Sequence, residues 1–304
     1  MLKILLVGGT GLIGSFLKNK LIEKGYSVNI LSRRKSKDSQ TFLWNNDEEY
    51  IDLAAFKGVS GIINLTGANI AEGRWTEKRK EILYNSRILS TRLLFETIKK
   101  NKIILDFFIN SSAIGYYGTK KSSKIFKEDN VSGSDFLAKI CLDWETEALR
   151  FNELDIRTII VRTGIVLTKH KGAFEKIKLP IKFGILPIFG DGKQVFSWIH
   201  IDDLIAVFMN SITNKNYIGP YNAVAPINNT YLEFNTKIAE VLQKKVIAIK
   251  VPTFMLRLIF GELTETLTNG NQIAVEKLSN NGFNFKFKDL NSALSNLLIK
   301  RYSN

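Results

Sequence analysis

Three glycines near the amino terminus have the spacing of a dinucleotide-binding turn. Gly8, Gly11 and Gly14 follow a short apolar strand pattern over residues 4–7 and precede an amphipathic helix pattern. Gly8 permits a tight turn, Gly11 lets the backbone approach a pyrophosphate, and Gly14 lets the helix pack against the strand. Free N–H groups at the start of the helix would hold the phosphates. The pattern predicts a cofactor site formed by Gly8, Thr10, Gly11, Leu12, Ile13 and Gly14.

Two arginines at the end of the second predicted strand indicate which dinucleotide is bound. Ser32 stands near the position, about 20 residues after the glycines, where an NAD-selective fold places an acid. An acid there would bind the ribose 2′-hydroxyl and repel a 2′-phosphate, whereas Arg33 and Arg34 can neutralise that phosphate. The sequence therefore favours NADP(H) over NAD(H). The alternative is a pair of solvated arginines at the start of a basic loop.

The elements that must position these residues alternate along the chain. Apolar segments predict strands at 26–32, near 61–66, at 105–111 and at 156–163, and amphipathic segments predict helices at 15–24, near 77–100 and at 134–151. This order is typical of an α/β Rossmann fold with a doubly wound parallel sheet, which we assign to residues 1–165. Over residues 166–304 Pro and Gly interrupt the pattern. We predict a smaller α+β substrate lobe there, with some elements returning to the Rossmann sheet.

Composition and charge argue against several classes of protein. With one cysteine, Cys141, and two histidines, His170 and His200, we expect neither an internal disulfide nor a metal site. The low cysteine content favours a reducing, cytoplasmic location, and no segment has the pattern of a signal peptide or a membrane span. The formal net charge of +14 comes from lysines dispersed along the chain, so we expect no nucleic-acid or membrane partner.

Motifs further along the chain resemble those of a known superfamily. They are Asn64-Leu65-Thr66-Gly67, Ser111-Ser112-Ala113-Ile114-Gly115-Tyr116-Tyr117-Gly118 and Trp198-Ile199-His200-Ile201-Asp202-Asp203. With the glycine turn, they resemble the extended short-chain dehydrogenase/reductases, the NAD(P)-dependent epimerase/dehydratase superfamily. Residues 73–76, 85–87, 135–138 and 144–145 resemble, more narrowly, its bacterial epimerase-like branch, which has a small carboxy-terminal domain of unassigned function. Under this resemblance the cofactor is also contacted by Leu65, Thr66, Gly67 and Ser111.

The resemblance also implies catalytic residues, and here the chain departs from the superfamily. A serine after the strand at 105–111 and a Tyr-x-x-x-Lys pair on the next helix would carry the acid/base chemistry. Ser112 matches the serine, but the helix has Phe136 and Leu137, then Ile140 and Cys141, where the pair is expected. The usual dyad is therefore absent. The remaining catalytic candidates are Ser112, Tyr116 and Tyr117, the tyrosines being otherwise an aromatic wall against cofactor or substrate.

Two arginines and a tryptophan are candidates for a substrate pocket. Arg74, Trp75 and Arg87 could bind an anionic or aromatic group, or they could belong to the start of a surface helix. In the resembling family the segment with His200 is structural, and we predict that Asp202 or Asp203 caps a helix.

The residues and the resemblance together predict an NADP-dependent oxidoreductase or epimerase. Its substrate would be a nucleotide-sugar-like or other small polar molecule, and the chain could form a homodimer. The alternative is a catalytically degenerate NADP(H)-binding sensor or interaction protein, because the dyad is missing and the resemblance extends to relatives linked with cell division.

Overall fold

A central, mostly parallel sheet organises the protein. The computed structural model describes residues 2–169 and 171–299, so Met1, His170 and residues 300–304 lie outside the described part. Within that part, eight strands form one sheet in the order β12-β8-β6-β5-β1-β2-β3-β4, and only the β3–β4 pair is antiparallel. These strands are Lys3–Val7 (β1), Ser27–Ser32 (β2), Thr41–Asn45 (β3), Tyr50–Ile51 (β4), Gly61–Asn64 (β5), Phe107–Ala113 (β6), Arg157–Thr163 (β8) and Gly219–Ala223 (β12).

Shorter strand pairs and helices complete the described fold. The remaining strands are Ile125–Phe126 (β7), Ile165–Leu167 (β9), Ile185–Phe189 (β10), Trp198–His200 (β11), Ile247–Val251 (β13) and Gln272–Ile273 (β14). The helices are Leu12–Glu23 (α1), Glu77–Asn85 (α2), Ile88–Lys100 (α3), Phe136–Leu149 (α4), Ala173–Lys182 (α5), Ile201–Thr213 (α6), Tyr231–Val241 (α7), Thr253–Phe260 (α8), Thr264–Thr268 (α9), Glu276–Asn280 (α10) and Leu290–Leu298 (α11). No helix in these residues is long and apolar enough to cross a membrane.

Helices cover both faces of the sheet, as the apolar strand pattern predicted. On β1, Ile4 and Leu6 belong to the apolar cluster that includes α1 and α6, whereas Leu5 and Val7 belong to the cluster that includes α3 and α4. Successive side chains of a strand point to opposite faces, so a strand buried on both faces is apolar throughout. This arrangement confirms the doubly wound α/β fold.

The structure differs from the predicted elements at two places in the first half. The helix predicted near 77–100 is divided into α2 and α3 at Ser86 and Arg87. There the Arg87 backbone N–H donates to the Tyr84 carbonyl, while the side chains of Ser86 and Arg87 donate to the Leu83 carbonyl. Strands β3 and β4 were not predicted, since their side chains are mixed in polarity and lie at the end of the sheet.

The second half of the chain both completes the sheet and forms a smaller lobe. Strand β12 pairs in parallel with β8 at the sheet edge, and α6 packs against α1. The lobe has its own apolar core beneath α5, α7 and α11. The cap of α6 is His200, which accepts from Asp202 N, rather than either predicted aspartate. Burial lowers the pKa of His200 to about 4.

Candidate functional site

The glycine turn has the geometry that its spacing predicted. Gly8 has a φ of +81°, and a Cβ there would lie 2.8 Å from the Leu65 carbonyl oxygen. A Cβ on Gly14 would lie 2.5 Å from the Gly8 oxygen, so α1 packs against the turn only because this residue is glycine. A Cβ on Gly11 would meet only that oxygen, at 3.3 Å. The backbone before α1 is therefore open to a ligand at Gly11.

A cleft of about 970 Å³ extends from this turn to the end of β2. Thr10, Ser32, Arg33 and Arg34 are among the residues that line it. Both arginines are exposed, and neither forms an ion pair with any residue that the structure describes. Lys18, on the α1 side, lies 3.6 Å from Asp38. The cleft is thus large enough for a nucleotide and carries uncompensated positive charge where a 2′-phosphate would lie.

A buried polar network holds the loop on the other side of the glycine turn. The Asn64 side chain accepts from the Thr66 backbone N–H at 3.2 Å and hydroxyl at 2.7 Å, and it donates to Thr91 and Asn110. Asn110 in turn donates to the Ser111 carbonyl. These bonds fix the backbone of residues 65–67 beside Gly8, where a dinucleotide would cross the sheet edge. Leu65, Thr66, Gly67 and Ser111 thus lie at that edge, while their contact with a cofactor stays a prediction.

Two of the three predicted catalytic hydroxyls belong to a second buried network. Ser112 Oγ donates to Glu145 at 2.6 Å, and Arg162 donates to the same carboxylate at 2.8 Å. Arg162 also donates to the Tyr117 hydroxyl at 2.9 Å, and this hydroxyl donates to Asn222 at 2.7 Å. All five side chains are buried. Both hydroxyls are therefore already paired inside the protein.

Charge and burial keep this network in one protonation state. Burial alone would lower the pKa of Arg162, but the Glu145 carboxylate outweighs burial and raises it. Burial raises the pKa of Tyr117 to about 12, against the opposing effect of Arg162. At neutral pH the network therefore holds a guanidinium beside a neutral phenol.

Tyr116 differs from the other two catalytic candidates. It is half-buried, and its hydroxyl has no hydrogen-bond partner among residues 2–169 and 171–299. The Arg162 guanidinium lies 3.5 Å from the centre of its ring, and the Tyr117 ring meets it edge-on. Because Ser112 and Tyr117 are paired, Tyr116 has the freest hydroxyl of the three in the described part of the chain.

The α4 helix turns a leucine and a cysteine toward this segment. A Cβ on Gly115 would lie 3.6 Å from Leu137 Cβ and 3.7 Å from Cys141 Sγ. Burial raises the pKa of Cys141 to about 12, so the thiol stays protonated. Phe136 and Ile140, the other two positions considered for the dyad, pack in an apolar cluster with Trp75. No tyrosine–lysine pair therefore stands on this face of α4.

Two of the three residues predicted to form a substrate pocket are packed or hydrogen-bonded inside the protein. Trp75 is 8% exposed, packs edge-on against Phe136 and donates to the Ile70 carbonyl at 2.9 Å, so it is a core residue. The Arg87 guanidinium donates to the Leu83 and Ala68 carbonyls, each at 3.0 Å. It thereby links α2 to the loop after β5. Its pKa is lowered by burial.

Only Arg74 of the three predicted substrate residues is exposed. Its guanidinium Nε would lie 3.5 Å from a Cβ on Gly261. It therefore lies where the segment after α8 meets the first half of the chain.

The ion pair between Glu145 and Arg162 was not predicted from the sequence. One signal was available, because Arg162 interrupts an otherwise apolar and β-branched strand over residues 158–163. A charge within a buried strand requires a partner of opposite charge. The sequence does not indicate which acid supplies it.

Family models match two parts of the chain. A model described as the NAD dependent epimerase/dehydratase family matches residues 4–224, and a model of a domain of unknown function, DUF1731, matches residues 251–297. An epimerase family protein of Staphylococcus haemolyticus is 31% identical over 299 residues, covering 98% of this chain and 99% of that protein. One from Staphylococcus aureus strain MRSA252 is 32% identical over 307 residues, covering 99% and 100%.

Solved structures share the fold. The human epimerase family protein SDR39U1, solved with NADPH, has a TM-score of 0.87 at 26% identity, covering 97% of this chain and 99% of that one. A nucleoside-diphosphate sugar epimerase from Corynebacterium glutamicum has a TM-score of 0.80 at 28% identity, covering 98% and 58%. The fold, the glycine turn and both family matches agree with the resemblance that the motifs indicated. The chain therefore belongs to the NAD-dependent epimerase/dehydratase family.

Proposed function

We propose that this protein is an NADP(H)-dependent oxidoreductase or epimerase that acts on a small polar molecule, such as a nucleotide-sugar-like compound. The observation that carries the proposal is the cleft beside the glycine turn, with Arg33 and Arg34 unpaired at its far end. Gly11 would let the pyrophosphate approach the start of α1, and the arginines would hold the 2′-phosphate. The human relative solved with NADPH supports this choice of cofactor.

The choice of cofactor can be tested by replacing Arg33 and Arg34 together with alanine. NADPH is expected to bind more tightly than NADH to the parent protein, and the double variant should lose about 1 to 3 kcal/mol of that preference. Calorimetric titration with each nucleotide measures it. Lys37→Ala is the matched control, because Lys37 belongs to the same exposed basic loop but does not line the cleft. Equal affinities of the parent protein for NADPH and NADH would contradict the assignment.

A pair of glycine variants separates binding from folding. Gly11→Val is expected to fold but to lose cofactor binding, because its side chain would meet little protein yet occupy the space of the pyrophosphate. Gly14→Ala is expected to lower the melting temperature, because its Cβ would lie 2.5 Å from the Gly8 oxygen. Thermal unfolding and NADPH titration measure the two effects. Full NADPH affinity in Gly11→Val would place the cofactor elsewhere.

For catalysis, we assign the proton-transferring group to the hydroxyls of residues 112, 116 and 117. Tyr116 is the strongest of these candidates, because its hydroxyl is unpaired in the described part of the chain and the Arg162 cation lies on its ring. Ser112 and Tyr117 would act mainly through the network that holds Arg162 in place. The location that we propose is the cytoplasm, on the basis of the single cysteine.

A sensor or interaction protein that binds NADP(H) without turnover is the second candidate. It is favoured by Leu137 and Cys141 on the α4 face that turns toward residue 115, where neither side chain can transfer a proton at neutral pH. Incubation of the protein and NADPH with panels of sugar nucleotides and small carbonyl compounds separates the two functions. Substrate-dependent oxidation of NADPH supports the enzyme, and tight binding without turnover supports the sensor.

A further inference from the structure

The short helix α8 has an apolar face that nothing in the described structure covers. Phe254, Met255, Leu258 and Ile259 are all exposed, and Leu258 is 72% exposed. Their spacing places them on one side of the helix, while Leu256, on the other side, is buried. Isolated exposed apolar residues are common, but four on one helix face mark an interaction site.

A second exposed apolar face lies immediately before α8. Strand β13 pairs in parallel with β10 and forms one edge of this two-stranded sheet. Ile185 pairs with Ile247, and Ile249 lies two residues further along, so all three side chains point to the same face of the sheet. All three are exposed, Ile247 by 74%. Pro252 alone separates β13 from α8, so the two apolar faces are neighbours along the chain.

Lysines without ion-pair partners lie close to these exposed apolar residues. The sequence has no acid between residues 241 and 261, and none between 176 and 190. The pairing of β10 with β13 brings these two stretches together. Lys182, Lys244, Lys245 and Lys250 are exposed, and none forms an ion pair with a residue that the structure describes.

Most of the acids nearest to these two stretches already have cationic partners. Glu175 pairs with Lys178, Glu240 with Lys237 and Glu265 with Arg257. These three acids therefore offset little of the charge on the four unpaired lysines. Asp191, which directly follows the second stretch, is exposed and accepts from the Lys193 backbone N–H, so one acid faces four lysines.

We propose that the surface formed by β13, α8 and the start of β10 binds the face of a membrane rich in anionic lipid. Apolar side chains would enter the boundary between headgroups and acyl chains, and the lysines would meet the lipid phosphates. A second copy of the chain fits less well, because a two-fold contact would bring the unpaired lysines close to their own copies. Nucleic acid would engage the lysines but leave the apolar side chains in water.

This surface was not apparent from the sequence, which predicted no membrane partner. Hydropathy identifies continuous spans, whereas these apolar residues are distributed over a helix face and two strands. The binding is peripheral, and it is independent of the proposed cofactor and reaction.

Sedimentation with lipid vesicles tests the proposal on the full chain. The protein should bind vesicles made of equal parts phosphatidylglycerol and phosphatidylcholine at least about tenfold more tightly than vesicles of phosphatidylcholine alone, and added salt should weaken the binding. Leu258→Gln with Ile259→Gln, and separately Lys244→Gln with Lys245→Gln, should each weaken binding by about tenfold. Thermal unfolding checks that both variants are folded.

A matched control distinguishes vesicle binding by this surface from nonspecific binding by any exposed apolar side chain near lysines. Ile104 is 89% exposed and close in sequence to Lys99, Lys100 and Lys102, but it lies between α3 and β6, apart from this surface. Ile104→Gln should bind vesicles like the parent protein. The proposal fails if the folded α8 and lysine variants bind as tightly as the parent protein. It also fails if the parent protein ignores vesicles but forms a dimer that Leu258→Gln with Ile259→Gln dissociates, since the occupant is then a second copy.

Discussion

Replacing Arg162 with methionine is expected to destabilise the folded protein by about 3 to 5 kcal/mol, because Glu145 would then keep a buried charge without its cation. Ser112 would still donate to this carboxylate, but one hydroxyl does not compensate for a lost guanidinium. Tyr117 and Tyr116 would lose the cation that lies against them. Urea denaturation measures the change in the free energy of unfolding.

A second variant and a control make the result specific to the buried pair. Arg162→Met combined with Glu145→Leu should recover much of the loss, because apolar side chains of similar volume often replace a buried pair at little cost. Lys139→Met removes an exposed partner of Asp143 on the same helix as Glu145, and it should cost less than about 1 kcal/mol. Equal instability of the single and double variants would show that the charge on Glu145 is not the cause.

Replacing Tyr116 with phenylalanine is expected to lower turnover by about 10² to 10⁴, once a substrate is found, with NADPH affinity nearly unchanged. The reason is that the Tyr116 hydroxyl has no hydrogen-bond partner in the described fold, so its removal leaves no group unpaired, while the ring stays in contact with Arg162. Single-turnover absorbance of NADPH measures the chemical step, and calorimetry measures the affinity.

Tyr117→Phe and Ser112→Ala are the comparisons that test this choice among hydroxyls. Each removes a buried bond, so each should lower stability by about 1 to 3 kcal/mol in addition to any loss of turnover. Tyr116→Phe should lower turnover without that loss of stability. If none of the three variants changes turnover, the proton comes from the substrate, water or another group, and the catalytic assignment is wrong while the cofactor site stands.

The sequence predicted the parts of the site that depend on short-range geometry. The glycine turn depends mainly on residues 8–14, because Gly11 and Gly14 meet the backbone of Gly8 and Gly9, and only Gly8 meets a distant segment, at Leu65. The arginines follow β2 directly, so their position needed only the strand to be identified. Ser32, which stands where an acid would select NAD, could be found by counting from the glycines.

The parts that the sequence did not predict depend on contacts between distant segments. Glu145, Arg162 and Asn222 lie on α4, β8 and β12, and only the folded sheet brings them to Ser112 and Tyr117. Trp75 was interpreted as a pocket residue for the same reason, since its burial depends on Phe136, far along the chain. One sequence identifies residue types that can do chemistry, but it does not show which of them the core has already paired.

The position of β12 late in the sequence affects how the chain can fold during its synthesis. Seven of the eight strands of the described main sheet lie before residue 164, but the strand that covers β8 lies at Gly219–Ala223. A nascent chain that has emerged from the ribosome only as far as β8 would expose an open strand edge, and it would lack the Asn222 partner of Tyr117. Completion of the sheet must therefore wait until more than two thirds of the polypeptide has been made.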